Sequence, residues 1–253
     1  MSQVSMDQVR ATYKPRDSWW TVLLVDPVVG HLVRVAARYP WLTPNLLTAV
    51  AFGLGLAAAA AFLAGGAGWL VAGALLYHAA FMVDCMDGKI ARLLGTGSVF
   101  GGWLDFLLDR VRVVLCVVAL FAGQYLRTGE GIFPFVAIGV VFLALFGYVN
   151  GAETDKARAK LAAPDNAALL DSAAGSAAGL VSRVQAALHR RRIRMNLVSG
   201  VEFEQAVLVI APLVAALTGP YALVWVTAVA AALLVMFEAA LMVRFWLATR
   251  AAA

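Results

Sequence analysis

Apolar residues along this chain gather into long runs separated by short turns, with one long polar stretch in the second half. The runs lie at 46–64, 67–83, 103–122, 132–152, 203–218 and 221–246. Most approach the roughly 20 residues that a helix needs to cross a hydrocarbon core. In lipid, backbone groups must be satisfied within the segment, and these lengths suit helices, not barrel strands. The pattern therefore predicts an all-α, polytopic membrane protein with six transmembrane helices. Residues 19–39, WWTVLLVDPVVGHLVRVAARY, mix apolar positions with Asp26, His31, Arg34 and Arg38. That mixture predicts an amphipathic helix lying in the membrane interface, broken near Pro27. The chain divides into an arm with an interfacial helix at 1–40 and a six-helix membrane domain at 41–250. Within that domain, 153–200 reads as a polar loop that ends in a basic amphipathic stretch, GLVSRVQAALHRRRIRM.

Composition supports the membrane reading. Hydrophobic residues make up 62% of the chain and charged residues 14%, and a mean hydropathy of +0.83 is far outside soluble practice. The first 18 residues are polar and no small-residue cleavage site follows the first apolar run, so no cleaved leader is expected. Of the 20 Lys and Arg residues, only Arg127 falls in a turn that six alternating spans would place outside. By the positive-inside rule, both termini and both long polar segments face the cytoplasm. The pI of about 9.5 then reflects topology and anionic headgroups, and no nucleic-acid partner is expected. Cys85 and Cys116 lie in or beside spans and predict no disulfide. His31, His78 and His189 show no ligand spacing.

One segment breaks the apolar pattern. DCMDGKIARLLGTGSVFGGWLDFLLDR, residues 84–110, holds four aspartates and three cations within 27 positions, beside the most apolar runs. Asp84 and Asp87 are three apart and Asp105 and Asp109 four apart, so each pair shares a helix face. Gly88, Gly95, Gly97, Gly101 and Gly102 lie between the pairs and predict a tight turn there. A short turn makes the two helices antiparallel neighbours and lets both pairs face one cleft near the membrane surface. Four carboxylates in one cleft repel unless cations compensate. Hard oxygen ligands in that number select Mg²⁺ or a similar divalent ion, and Arg92 adds a permanent cation for a phosphate. A carboxylate-held metal pair beside an arginine suits in-line phosphoryl displacement. The spacing leaves a second reading open, in which structural aspartates pair with Arg92, Arg110 and Arg112. Intramembrane carboxylates also mark cation-coupled transporters, but these lie at helix ends and the two halves of the chain show no repeat.

The segment resembles a known family. Asp84-x-x-Asp87-Gly88-x-x-Ala91-Arg92, eight further residues, then Gly101-x-x-x-Asp105-x-x-x-Asp109 is similar at every fixed position to the motif of the CDP-alcohol phosphotransferases. The likeness extends to Thr43-Pro44-Asn45-Leu46-Leu47-Thr48 at the start of the first span. It implies that Asp84, Asp87, Asp105 and Asp109 hold two Mg²⁺ ions, or Mn²⁺ in their place, with Asp109 also the general base. It implies that Asn45, Thr48, Gly88, Arg92, Ser98 and Gly101 bind the CDP-alcohol donor. The expected reaction is attack of an alcohol hydroxyl on the donor phosphorus with release of CMP, in phospholipid synthesis. A homodimer is part of the same expectation.

The wording FGxWLDxxLDR resembles the inositol-phosphate-handling branches of that family. Those branches carry an SYxxARAE-like run after the fourth span, where this chain reads GYVNGAETDKARAK. Lys156, Arg158 and Lys160, with Arg190 to Arg194, are the candidate cations for an acceptor phosphate, Lys156, Arg158 and Arg194 foremost. Glycerol phosphate, serine, an inositol phosphate and a less common alcohol stay open as acceptors. CDP-diacylglycerol is the expected donor, and a soluble CDP-alcohol acting on a lipid acceptor is the alternative.

Overall fold

The computed structural model describes residues 4–161, 187–188, 190–194 and 197–251, and these residues are helical almost throughout. A short helix α1 (Met6–Ala11) is followed by α2 (Asp26–Ala36), α3 (Pro44–Ala64), α4 (Ala67–Leu94), α5 (Val99–Thr128) and α6 (Ile132–Leu161). Then come α7 (Gly200–Gln205), α8 (Ala211–Thr218) and α9 (Tyr221–Ala251). Helix starts and stops follow local chemistry. Thr43 caps α3 by accepting from Leu46 N at 3.3 Å, with Pro44 in the first turn where its missing N–H costs nothing. α4 ends at Gly95, whose φ of 65° is left-handed and disfavours any residue with a Cβ.

Pro27 does not break its helix. The turn Thr21–Val25 widens so that Asp26 N bonds to Thr21 O, five residues back, just ahead of the proline that has no N–H to give. Pro212 repeats the device: Ala206–Ile210 widens, and Ala211 N bonds to Ala206 O. α7, this wide turn and α8 therefore run on as one helical span, Gly200–Thr218.

Five helical segments are long and apolar enough to cross a membrane: Pro44–Ala64, Ala67–Leu94, Ile132–Thr154, Gly200–Thr218 and Tyr221–Leu247. α5 has similar length but is not among them, and its first turns carry Asp105, Asp109, Arg110 and Arg112. The outer surfaces of the helices are apolar, with Trp69, Leu75, Phe135, Ile138, Phe142 and Trp225 all exposed. A belt of this kind is suited to lipid and makes the chain an integral membrane protein.

α3 packs along both α4 and α5, while α4 and α5 touch each other sparsely. The core beneath the site is built from Phe62, Tyr77, Val113, Phe121, Phe203 and Leu208. A second cluster joins Val25 of the first wide turn and Val29 and Val33 of α2 to Phe81, Met86 and Ile90 of α4. The outer face of this turn and α2 is also apolar, with Leu23, Leu24, Val28, Leu32 and Val35 exposed. Two boundaries differ from the sequence expectation. α4 continues to Leu94 and α5 begins at Val99, so the turn is only 95–98, with Gly88 inside α4 and Gly101 inside α5. α6 runs through Leu161, so the expected 153–200 loop begins as helix. Of the rest of that loop, residues 162–186, 189, 195 and 196 lie outside the described residues.

Candidate active site

All four aspartates lie within about three turns of the 95–98 turn, Asp84 and Asp87 on α4 and Asp105 and Asp109 on α5. Two cavities of about 290 Å³ each adjoin them. Asp87, Gly88, Arg92 and Asp105 line both cavities and form their common wall.

The first cavity opens between the N-terminal ends of α3 and α5, and Pro44, Asn45, Thr48, Ser98 and Gly101 complete its lining. Two helix N-termini pointing at one space favour an anion there. Ser98 caps α5, its Oγ accepting from Gly101 N at 2.9 Å. Thr48 is buried, and its hydroxyl donates to Asp87 Oδ2 at 2.5 Å. Every residue named from the sequence as a donor contact thus lines this cavity.

The second cavity is ionic. Lys14, Asp17 and Asp26 reach it from the N-terminal region, Asp84 and Lys89 from α4, and Asp109 and Arg110 from α5. Tyr148 of α6 and Glu204 of α7 close the far side. Arg112, which is buried, pairs with Asp84 at 3.2 Å and with Asp109. Gly55 of α3 opens the path for it, since a Cβ there would meet the Arg112 methylenes. Arg110 pairs with Asp109 and, at 2.6 Å, with Glu204, and its guanidinium lies 3.6 Å from the Tyr148 ring centre. Glu204 and Tyr148 have no spacing relation to the 84–110 segment, and sequence reasoning missed both. Lys89 forms a buried pair with Asp26 at 3.1 Å, and Arg192 reaches the other oxygen of Asp26 at 3.1 Å. Burial and the Asp26 carboxylate push the nearby Tyr13 phenol above its ordinary value, with Arg192 opposing.

Of the cations that the sequence offered as partners for the aspartates, Arg110 and Arg112 take that part. Arg92 does not: its Nε donates to Thr12 O at 2.7 Å, leaving the guanidinium on the wall between the cavities. The candidate acceptor cations are not gathered here. Lys156 is exposed and paired with Glu153 at 2.7 Å, and neither Lys156 nor Arg194 lines either cavity. The side chains of Arg158 and Lys160 lie outside the described residues. Arg190 and Arg191 are exposed.

Two of the four aspartates are paired with arginines and, among the described residues, two are left without a counter-charge. The chain Asp84–Arg112–Asp109–Arg110–Glu204 joins three carboxylates to two guanidiniums. Among the described residues Asp87 and Asp105 make no ion pair, and Asp105 Oδ1 is buried with no hydrogen-bond partner. Unpaired buried carboxylate of this kind is costly unless a cation compensates. Among the described residues, however, no three acidic, cysteine or histidine side chains are grouped so as to hold one ion; Asp84 and Asp109 turn to the arginines instead.

Residues 41–160 match the family described as CDP-alcohol phosphatidyltransferase. The chain is 30% identical over 99 residues to an archaetidylinositol phosphate synthase of Methanothermobacter thermautotrophicus, which covers 39% of this chain and 49% of that one. It is 37% identical over 107 residues to a bifunctional IPC transferase and DIPP synthase of Thermococcus kodakarensis, covering 42% and 22%. It is 33% identical over 89 residues to a phosphatidylinositol phosphate synthase of Corynebacterium glutamicum, covering 35% and 37%. The matched region spans at most about half the length of these relatives.

Proposed function

We propose that this protein, whose residues 41–160 match the family described as CDP-alcohol phosphatidyltransferase, transfers a phosphatidyl group from CDP-diacylglycerol to a hydroxyl of a phosphorylated polyol and releases CMP. The relatives' names point the acceptor toward an inositol phosphate. The observation that carries the reading is the wall shared by the two cavities, made of Asp87, Gly88, Arg92 and Asp105. An in-line displacement needs its nucleophile and leaving group on opposite sides of phosphorus. Two cavities meeting at one carboxylate wall suit that geometry.

The nucleotide occupies the first cavity, against Asn45, Thr48, Ser98 and Gly101, with its diphosphate toward the two helix N-termini and Arg92. Gly88 presents bare helix surface on that wall. The acceptor enters the second cavity. There Asp109 takes the proton of the attacking hydroxyl as the new oxygen–phosphorus bond forms and the bond to CMP breaks. Arg110 and Arg112 orient the Asp109 carboxylate for that transfer. Asp84, Asp87, Asp105 and Asp109 would hold two divalent cations, Mg²⁺ or Mn²⁺, which supply charge neutralisation at the transferring phosphate and the leaving nucleotide. The basic residues favour a cytoplasmic site with α5 as a sixth span.

The test incubates purified protein with Mg²⁺ and CDP-diacylglycerol, adds glycerol phosphate, serine and an inositol phosphate in separate reactions, and measures CMP. Release that depends on a phosphorylated polyol is expected. Release only when a soluble CDP-alcohol is given a lipid acceptor would reverse the roles of the two substrates, and no release under any pairing would defeat the reading.

A further inference from the structure

A phosphate entering the second cavity meets Asp17, Asp84, Asp105 and Asp109, and needs a cation not already committed elsewhere. Four cations line that cavity: Lys14, Lys89, Arg92 and Arg110. Lys89 is buried against Asp26, and Arg110 is divided between Asp109 and Glu204. Arg92 belongs equally to the first cavity and is tied to the Thr12 carbonyl. Lys14 differs from all three. It is exposed at the cavity, and among the described residues its ammonium has no hydrogen-bond or ion-pair partner.

The backbone beneath Lys14 is nevertheless fixed. Arg192 donates to the Lys14 carbonyl through Nε at 3.1 Å and Nη2 at 2.9 Å, and its Nη1 reaches Asp26 Oδ2 at 3.1 Å. The same guanidinium lies 4.7 Å from the Tyr13 ring centre. Two main-chain bonds close the contact: Asp17 N to Arg192 O at 2.8 Å, and Arg194 N to Asp17 O at 2.9 Å. Arg192 adopts a φ of 63°, a conformation uncommon outside glycine that persists only where its surroundings over-determine it. The result is a rigid anchor beneath one uncommitted ammonium that lines the same cavity as the aspartates.

We propose that Lys14 receives the phosphate of a phosphorylated acceptor in the second cavity, and that Arg192 is a positioning residue that holds Lys14 there through its main chain. The assignment rests on the transferase reading above. It places the specificity-determining cation in the N-terminal arm, not in the 153–200 segment.

The experiment compares wild type with Lys14→Gln, Lys14→Arg, Arg192→Gln and the double variant, using CDP-diacylglycerol and the phosphorylated polyol that supports CMP release. Lys14→Gln should raise the acceptor KM by about tenfold or more, with kcat and the donor KM nearly unchanged. Lys14→Arg should keep most of the wild-type acceptor affinity. Inorganic phosphate, competing with the acceptor, should lose potency in Lys14→Gln by a similar factor. Arg192→Gln should raise the acceptor KM less, and add little once Lys14 is gone. Lys14 has an exposed side chain, so Lys14→Gln tests the assignment even if Arg192→Gln folds poorly. An active wild type whose Lys14→Gln variant keeps its acceptor KM, or raises only its donor KM, overturns the Lys14 assignment and leaves the transferase reading standing. A wild type that releases no CMP from any pairing removes both.

Discussion

The two cavities have the same volume and share four residues, yet their other walls are built from different chemistry. The first is made of helix ends and small side chains: Pro44, Asn45 and Thr48 on one side, Thr96, Gly97, Ser98, Gly101 and Gly102 on the other, with few charges beyond the shared wall. Its attraction for an anion comes from backbone N–H groups and helix dipoles, which need no counter-ion of their own. The second is made of ions drawn from five separate parts of the chain, and most of them already satisfy one another. A site of the first kind can be carried by a short contiguous motif. One of the second kind needs the whole fold to bring its members together. The first should therefore be sensitive to shape and the second to charge.

The largest expected effect is on the wall the cavities share. Removing divalent cations with excess EDTA should reduce CMP release to background, and added Mg²⁺ or Mn²⁺ should restore it. Full activity in EDTA would mean that the uncompensated charge of Asp87 and Asp105 is managed by protein groups alone. Next comes the second cavity. Asp109→Asn keeps the shape but cannot take a proton, so turnover should fall by about 10²–10⁴-fold while donor binding, measured by equilibrium titration, changes little. Near-normal turnover in that variant would remove Asp109 from the role of base.

How legible each cavity was in the sequence follows from the same contrast. The first could be read almost whole: Asn45, Thr48, Gly88, Arg92, Ser98 and Gly101 all line it, because its residues sit in two short segments at helix ends. The four aspartates were legible for the same reason. Glu204 and Tyr148 were not, since only the packing of α6 against α5, and of α7 against α6, brings them to Arg110. Lys14 was equally hidden, because the pairing of Asp17 with Ile193 joins segments with no periodicity in common. For the fold, apolar run length located the helices well, but it stopped α4 at 83 where the helix continues to Leu94. Hydropathy reports where lipid ends, and hydrogen bonding carries a helix on past that point. The break expected at Pro27 failed for a related reason: a widened turn absorbs the missing N–H and the helix continues.

A smaller effect separates shape from charge. Gly101→Ala would put a Cβ 3.0 Å from Ser98 Oγ and 3.1 Å from Asn45 Oδ1, narrowing the first cavity. Position 101 is in the first turn of α5, where alanine is a better helix former than glycine, so the melting temperature should hold or rise. The donor KM should increase several-fold with the acceptor KM unchanged. A parallel rise in both constants would show that the cavities do not act as separate sites.

The smallest expected effect is at Lys156, which the sequence alone made a leading candidate for the acceptor phosphate. It sits on α6 two turns beyond Tyr148, with its side chain 68% exposed and paired to Glu153 at 2.7 Å. An exposed pair three residues apart on a helix is screened by solvent and adds little. For its ammonium to serve the acceptor it would have to leave Glu153 and reach a cavity that it does not line. Lys156→Gln should accordingly leave acceptor KM, donor KM and melting temperature within error of wild type, in the same assay where Lys14→Gln raises the acceptor KM. If instead Lys156→Gln raised the acceptor KM and Lys14→Gln did not, the acceptor would approach along α6, and the phosphate-binding side of the second cavity would have to be moved from the N-terminal arm to the end of that helix.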